Sequence, residues 1–256
     1  MKFIILGCGS SMGVPRADGF FGNCDPNNKK NYRSRCSALI KGDKENILID
    51  TSPDLRQQLI KNKINTISRV LYTHSHADQT HGINDLRIFF IKNKKPIDVY
   101  ADFVTSKHLK KTFGYCFHSY SKEYPSILKL NIIKNKLIFK DSNKKISIKS
   151  IKVKHGNIES LCYIVNEKLA YISDVSEIYK KDFTHLKKIN YLIIDCLWYN
   201  YHPSHFNLER CLEIIKTLSP KKAILTNLSP ILDYNELKKK LPKNVTPAYD
   251  GLTINL

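Results

Sequence analysis

The stretch Val70-Leu71-Tyr72-Thr73-His74-Ser75-His76-Ala77-Asp78-Gln79 decides how this chain is read. Its apolar start reads as a strand that ends in a loop. Two imidazoles one residue apart, with a carboxylate two further on, can converge on one cation when the backbone turns sharply. Imidazole and carboxylate together suit zinc and similar transition metals.

Other acidic and imidazole groups also sit just after predicted strands, where layered sheets can gather them at one edge. His155 follows the alternating run Ile146-Ser147-Ile148-Lys149-Ser150-Ile151-Lys152-Val153, Asp174 ends Ala170-Tyr171-Ile172-Ser173, and Asn227 follows Ala223-Ile224-Leu225-Thr226. A single histidine after a strand is more often structural than a ligand; four such segments in order are more telling. In that order they resemble the metallo-β-lactamase fold hydrolases, whose HxHxDH motif the 74–79 stretch follows except that Gln79 replaces the last histidine. The resemblance implies a four-layer αββα sandwich of α/β class. It also implies one Zn²⁺ on His74, His76 and His155, with Asp174 as a bridging carboxylate. The family's second site would draw on Asp78, Asp174 and the positions of Gln79 and Asn227, where the family has histidine. Amide oxygens with carboxylates form an oxygen-only set, matched to Mn²⁺ or Mg²⁺ or else left empty.

Further segments narrow the resemblance to a bacterial subgroup that includes a cyclic ribose-phosphate phosphodiesterase, with the tRNA 3′-processing endonucleases as more distant kin. They are 7–15 (GCGSSMGVP), 48–56 (LIDTSPDLR), 81–87 (HGINDLR) and Ala248-Tyr249-Asp250-Gly251. By that resemblance His205, in His202-Pro203-Ser204-His205, contacts the phosphate and protonates the leaving oxygen. Read without it, His205 is a helix-entry histidine, and His202 is its weaker companion. With one metal, Asp78 would orient or deprotonate the attacking water; with two, it would be a ligand. Asp50 and Asp250 resemble supporting carboxylates for the metal-bound imidazoles, the alternative being turn or cap aspartates. His81 is a candidate replacement for the lost ligand, and Asp195 reads as a structural strand-end carboxylate. The glycine loop 7–13 lacks P-loop spacing and is read as approaching the substrate. The subgroup's cysteine-rich structural zinc site is not matched, since only Cys24 falls in the corresponding loop.

At 256 residues, 42% hydrophobic, the chain can bury a sizeable core, and we read 1–256 as one domain. No apolar run is long enough to span a bilayer, and the first residues read as a strand, so a soluble, cytoplasmic protein is expected. The seven cysteines, odd in number and widely spaced, suit a reducing compartment. Cys24 and Cys36 could serve a structural metal, but no CxxC pair supports that. The net charge of +19 comes from 42 basic residues of which only seven are arginine, scattered and not gathered into an arm. A solvated surface explains this better than a nucleic-acid face, and the charge favours anionic substrates. A homodimer is a default.

Strands are expected at 2–6, 38–40, 46–49, 68–72, 97–100, 135–139, 146–153, 161–166, 169–173, 191–195, 222–226 and 252–256. Helices are expected at 53–62, with Ser52 as N-cap and Pro53 at its first position, and near 84–92, 104–113, 206–218 and 233–240. The leading functional expectation is a metal-dependent phosphodiesterase acting on a small cyclic or linear phosphodiester. The alternatives are an RNA-processing nuclease and a catalytically degenerate binding or scaffold protein.

Overall fold

Along each central strand alternate side chains are buried on opposite faces, because both faces of both sheets are covered. In the computed structural model, which describes residues 1–256, the chain forms fourteen strands in two seven-stranded sheets. Six strands open the first sheet: β1 (Lys2–Gly7), β2 (Ser37–Lys41), β3 (Asn46–Ile49), β4 (Arg69–Leu71), β5 (Ile97–Ala101) and β6 (Leu128–Ile132). The second holds β7 (Lys136–Asp141), β8 (Lys144–His155), β9 (Ile158–Val165), β10 (Leu169–Ile172), β11 (Tyr191–Asp195), β12 (Lys222–Thr226) and β13 (Val245–Pro247). The last strand, β14 (Leu252–Asn255), returns to the first sheet and pairs antiparallel with β1.

Three apolar layers follow from the alternation. Phe3, Ile5, Ile40, Ile47, Ile49 and Leu71 face Ile148, Tyr163, Tyr171, Ile193 and Ile224 across the gap between the sheets. Their neighbours Ile4, Leu6, Leu39, Leu48, Val70 and Tyr72 turn outward onto helical residues Leu55, Leu59, Phe89 and Leu109. On the other side Leu192, Ile194, Ala223 and Leu225 meet Cys211, Ile214, Ile215 and Leu218 of helix Leu208–Leu218. The expected four-layer αββα sandwich is therefore the fold found.

Helix ends obey local chemistry. Asn207, Asp233 and Asp102 each accept a backbone N–H in the first turn of the helix they precede. The helix expected from Pro53 starts later, at Leu55. Ser52 is buried in a turn before it, and the Asp54 carboxylate is taken by Arg35 at 2.8 and 2.6 Å and so does not cap. The helix expected at 84–92 splits into a 3₁₀ turn, Ile83–Leu86, and an α-helix, Arg87–Asn93. Strands β6 and β13 were not expected. Each is a sheet edge, one half-polar and the other three residues ending in proline, where periodicity is weakest.

Strands β3 to β6 run parallel, as do β10 to β13. The carboxyl ends of β4, β10, β11 and β12, with the end of β8, deliver His74, Asp174, Asp195, Asn227 and His155 to one edge of the sandwich. No helix is long and apolar enough to cross a membrane.

Candidate metal centre

The three expected histidines converge there. His74 Nε2 lies 3.0 Å from His76 Nδ1, which lies 3.3 Å from His155 Nε2. His74 and His155 are buried, whereas His76 is exposed at the cleft.

Neighbouring groups decide where the protons sit. The Ser204 carbonyl can only accept, so at 2.7 Å it receives the hydrogen bond of His155 Nδ1–H and leaves Nε2 to face the cleft. Thr73 Oγ1 donates to Asp50 at 2.8 Å and stands 3.0 Å from His74 Nδ1, which therefore donates to it. That leaves His74 Nε2 turned toward the other rings in the same way. Burial holds the His74 pKa down at about 3, and burial and the neighbouring His155 lower that of His76. Three rings thus aim at one point, with the outer nitrogens of His74 and His155 engaged by their neighbours and the inner ones turned toward one another. A tetrahedral site with metal–nitrogen bonds of about 2.0–2.1 Å has edges of about 3.3 Å. The observed spacings match it, and the donor set fits a divalent transition ion.

Asp174 completes that set. One of its oxygens lies within 4.8 Å of ligand atoms of both His155 and His205. Burial alone would raise its pKa, but His74, His155 and His205 outweigh this and keep it low.

On its other side Asp174 meets the two amides. Gln79 Nε2 donates to Asp78 Oδ2 at 3.1 Å and to Asp174 Oδ2 at 3.3 Å, and Asn227 Nδ2 donates to Asp174 Oδ1 at 3.3 Å. Asn227 sits in the left-handed region at φ 60°, which asparagine tolerates better than most residues. Burial and the charge of Asp174 raise the Asp78 pKa to about 6.

Across the cleft, His205 Nδ1 donates to Asp195 Oδ2 at 2.7 Å. Burial would lower the His205 pKa, but the charge and hydrogen bond of Asp195 prevail and raise it to about 9. Asp195 also accepts the Val175 N–H at 2.9 Å and is fully buried. It is thus an orienting carboxylate for His205 and not merely the structural strand end that its sequence position suggests. Its place directly after the apolar run of β11, like Asp174 after β10, was the available signal. Thr73 and the Ser204 carbonyl were missed, the latter because backbone leaves no sequence trace.

The remaining candidates separate. Asp50 supports His74 through Thr73, but Asp250 touches no imidazole. It instead accepts from Cys8 and Ser34 at the base of the glycine loop. His81 is exposed, packs edge-on against Phe113, and reaches none of these groups, so it replaces no ligand. His202 lines the cleft with its ring 5.2 Å from His205. Cys24 stands beside Arg33 and Cys36 donates to Gly9, so the two thiols form no metal site. The cleft, about 1250 Å³, is walled by the glycine-loop residues Ser10 and Met12 and by Lys154, Trp198, Tyr201 and Arg210.

Comparison with known proteins agrees with this geometry. A family model described as the beta-lactamase superfamily domain matches residues 45–226. The chain is 31% identical, over 98% of its own length, to an octanoyltransferase of Porphyromonas gingivalis, of which it spans 51%, about half. It is 27% identical over 83% of its length to a ribonuclease Z of Methanococcus maripaludis, covering 68% of that protein. Among solved structures it matches a diphosphatase from the PhnP family with a TM-score of 0.87 at 27% identity, covering 100% of this chain and 97% of that one. Zinc-bound PqqB from Methylobacterium extorquens shares the fold, with a TM-score of 0.77 at 17% identity and full coverage of both chains.

Proposed function

This chain belongs to the beta-lactamase superfamily, and on that premise we propose that it is a metal-dependent hydrolase of small phosphodiesters or pyrophosphate linkages. The observation that carries the reading is the convergence of His74 Nε2, His76 Nδ1 and His155 Nε2 beside Asp174, facing His205 across the cleft. His74, His76, His155 and Asp174 would hold a divalent ion, Zn²⁺ by the nitrogen-rich donor set. When bound, such an ion supplies a Lewis acid for a phosphoryl oxygen and makes water nucleophilic near neutral pH.

The chain's own residues supply the rest. The Asp78 carboxylate, next to the site and titrating at about 6, orients the attacking water and accepts its proton. His205 carries a proton near neutrality, and it donates that proton to the departing oxygen while Asp195 holds the ring in place. Lys154 and Arg210 on the cleft wall suit an anionic substrate. The PhnP-family diphosphatase supports phosphate-linked substrates. Octanoyl transfer is not carried over, since this chain spans only half of the protein so named.

Hydrolysis of bis(p-nitrophenyl) phosphate by metal-reconstituted protein tests the reading. Turnover that needs added Zn²⁺ or Mn²⁺ and vanishes in His76→Ala is expected. Inactivity with every divalent ion would instead favour a degenerate scaffold. A ribonuclease is the second reading, supported by the ribonuclease Z match and the basic surface. It requires binding to structured RNA that exceeds binding to other polyanions and falls steeply with salt.

A further inference from the structure

We propose that this centre takes one divalent ion, because the amides of Gln79 and Asn227 occupy and neutralise the ground on which a second would sit. The inference rests on the metal-centre reading above and concerns the far side of Asp174. There two carboxylates, Asp78 and Asp174, lie close enough for one amide nitrogen to reach an oxygen of each. Such a pair needs positive charge or hydrogen-bond donors between its members.

The structure supplies donors. Gln79 Nε2 bridges one oxygen of each carboxylate at 3.1 and 3.3 Å, and Asn227 Nδ2 takes the other Asp174 oxygen at 3.3 Å. The backbone that carries both amides is anchored. Thr51 N–H holds the Gln79 backbone carbonyl at 2.8 Å, and the Leu228 N–H bond to the Cys8 carbonyl, also 2.8 Å, anchors the turn after Asn227. Turning Gln79 over would set its oxygen against both carboxylates, acceptor against acceptor; turning Asn227 over would set its oxygen against Asp174, though within 3.2 Å of His205 Nδ1. In the observed orientation Gln79 Oε1 is buried without a partner. One orphaned neutral acceptor is the lesser cost beside two faced anions.

Neither class of cation suits this ground. A zinc-like ion wants nitrogen or sulfur, which neither amide offers as a ligand, and the one nearby ring, His205, has Nδ1 on Asp195 and could give only Nε2. A hard cation wants about six oxygens, several of them from water. Turned over, the two amides and two carboxylates, giving one oxygen each, would offer about four ligands. The ground is also mostly enclosed: Gln79 is 0% exposed, and Asn227 and Asp174 are 2% exposed where, with the half-buried Asp78, they border the cleft.

The experiment counts ions. Purified protein, stripped with a chelator, is reloaded with Zn²⁺ or with Mn²⁺, desalted, and assayed by plasma mass spectrometry. Wild type should hold one ion per chain with either metal. The Gln79→His/Asn227→His variant should hold two Zn²⁺, a doubling. Two ions in the wild type, zinc or manganese, would overturn the inference. A double variant that folds, by circular dichroism, yet stays at one ion would also overturn it, because the amides would then not be what excludes the second. If that variant does not fold, the wild-type count decides alone. No bound ion in the wild type would sink the metal-centre reading itself, an outcome distinct from two.

Discussion

Two buried polar clusters in this protein solve the same problem in opposite ways. Around Arg33, which is 1% exposed, every arm of the guanidinium finds an acceptor. It donates to Leu232 O at 2.7 Å, Asn31 Oδ1 at 3.0 Å, Ser229 O at 3.3 Å and Lys30 O at 3.4 Å. Asn31 in turn donates to Asp233 at 2.6 Å, and Asp233 caps helix Tyr234–Lys240. That network is closed, tying the long loop after β1 to the turn after β12. The imidazole edge is open. Three ring nitrogens face one another, and Gln79 Oε1 and Asp195 Oδ1 are buried without partners. Buried polar groups left unmatched call for an explanation, and a bound ion supplies one for this edge. The closed cluster ties loops together, and the open one is the edge at which the proposed ion would sit.

Crossed substitutions should separate the two. His155→Ala should lower kcat/KM by about 10³ or more, since a lost ion forfeits several kcal/mol of charge stabilisation and each 1.36 kcal/mol is tenfold. Metal content should fall with it, while the melting temperature of the metal-free protein stays near wild type. Arg33→Met should do the reverse, costing about 1–3 kcal/mol for each buried acceptor it leaves unmatched (Leu232 O, Asn31 Oδ1 and Ser229 O), with the ion retained. Denaturant midpoints and metal content on both variants check the crossing. An Arg33→Met protein that is stable but metal-free would break the distinction.

This division also explains what could be read from the chain. Strands buried on both faces announce themselves as apolar runs such as Phe3-Ile4-Ile5-Leu6, and the ligands follow directly after such runs. The sandwich was therefore legible, and the candidate set His74, His76, His155, Asp174 came from the family resemblance that those runs and the residues after them carry. Less legible were positions whose role depends on distant partners. Asp250 sits after a strand like the others, yet its partners Cys8 and Ser34 lie over 200 residues away, so its role in bracing the loop could not be read locally. Asp195 hides for the same reason in part: its partner His205 is ten residues on, across an irregular loop.

Asp195 permits a finer test of the open edge. Asp195→Asn keeps the shape but removes the charge that holds His205 protonated and oriented. If His205 acts as the acid, turnover should fall about 10²-fold, within the usual range for general acid–base catalysis, with metal content unchanged. A substrate whose leaving group needs no proton, p-nitrophenolate, should be affected less than an alkyl phosphodiester. Equal losses on both substrates would reduce Asp195 to a fold element.

The smallest effect lies at a second closed cluster, where Asp141 at the end of β7 reaches across to the first sheet. Its carboxylate accepts the N–H groups of Asp43, Lys44 and Glu45 at 2.9, 2.7 and 3.0 Å, closing the turn between β2 and β3. Burial pulls its pKa upward, but the three backbone donors outweigh burial and leave it below the ordinary carboxylate value. A depressed folded pKa means stability that is present above the unfolded pKa of about 3.9 and lost as pH falls through the folded value. Asp141→Asn, whose amide offers one acceptor oxygen where the carboxylate offers two, should cost about 1–2 kcal/mol at pH 7. The gap between the two urea midpoints should narrow below about pH 4, where the wild-type carboxylate begins to bind the proton that cancels its advantage. A gap that stays constant with pH would show that the tie works through shape and not charge. Turnover at pH 7 should be the same in both proteins, because a closed cluster away from the ligand edge contributes stability alone.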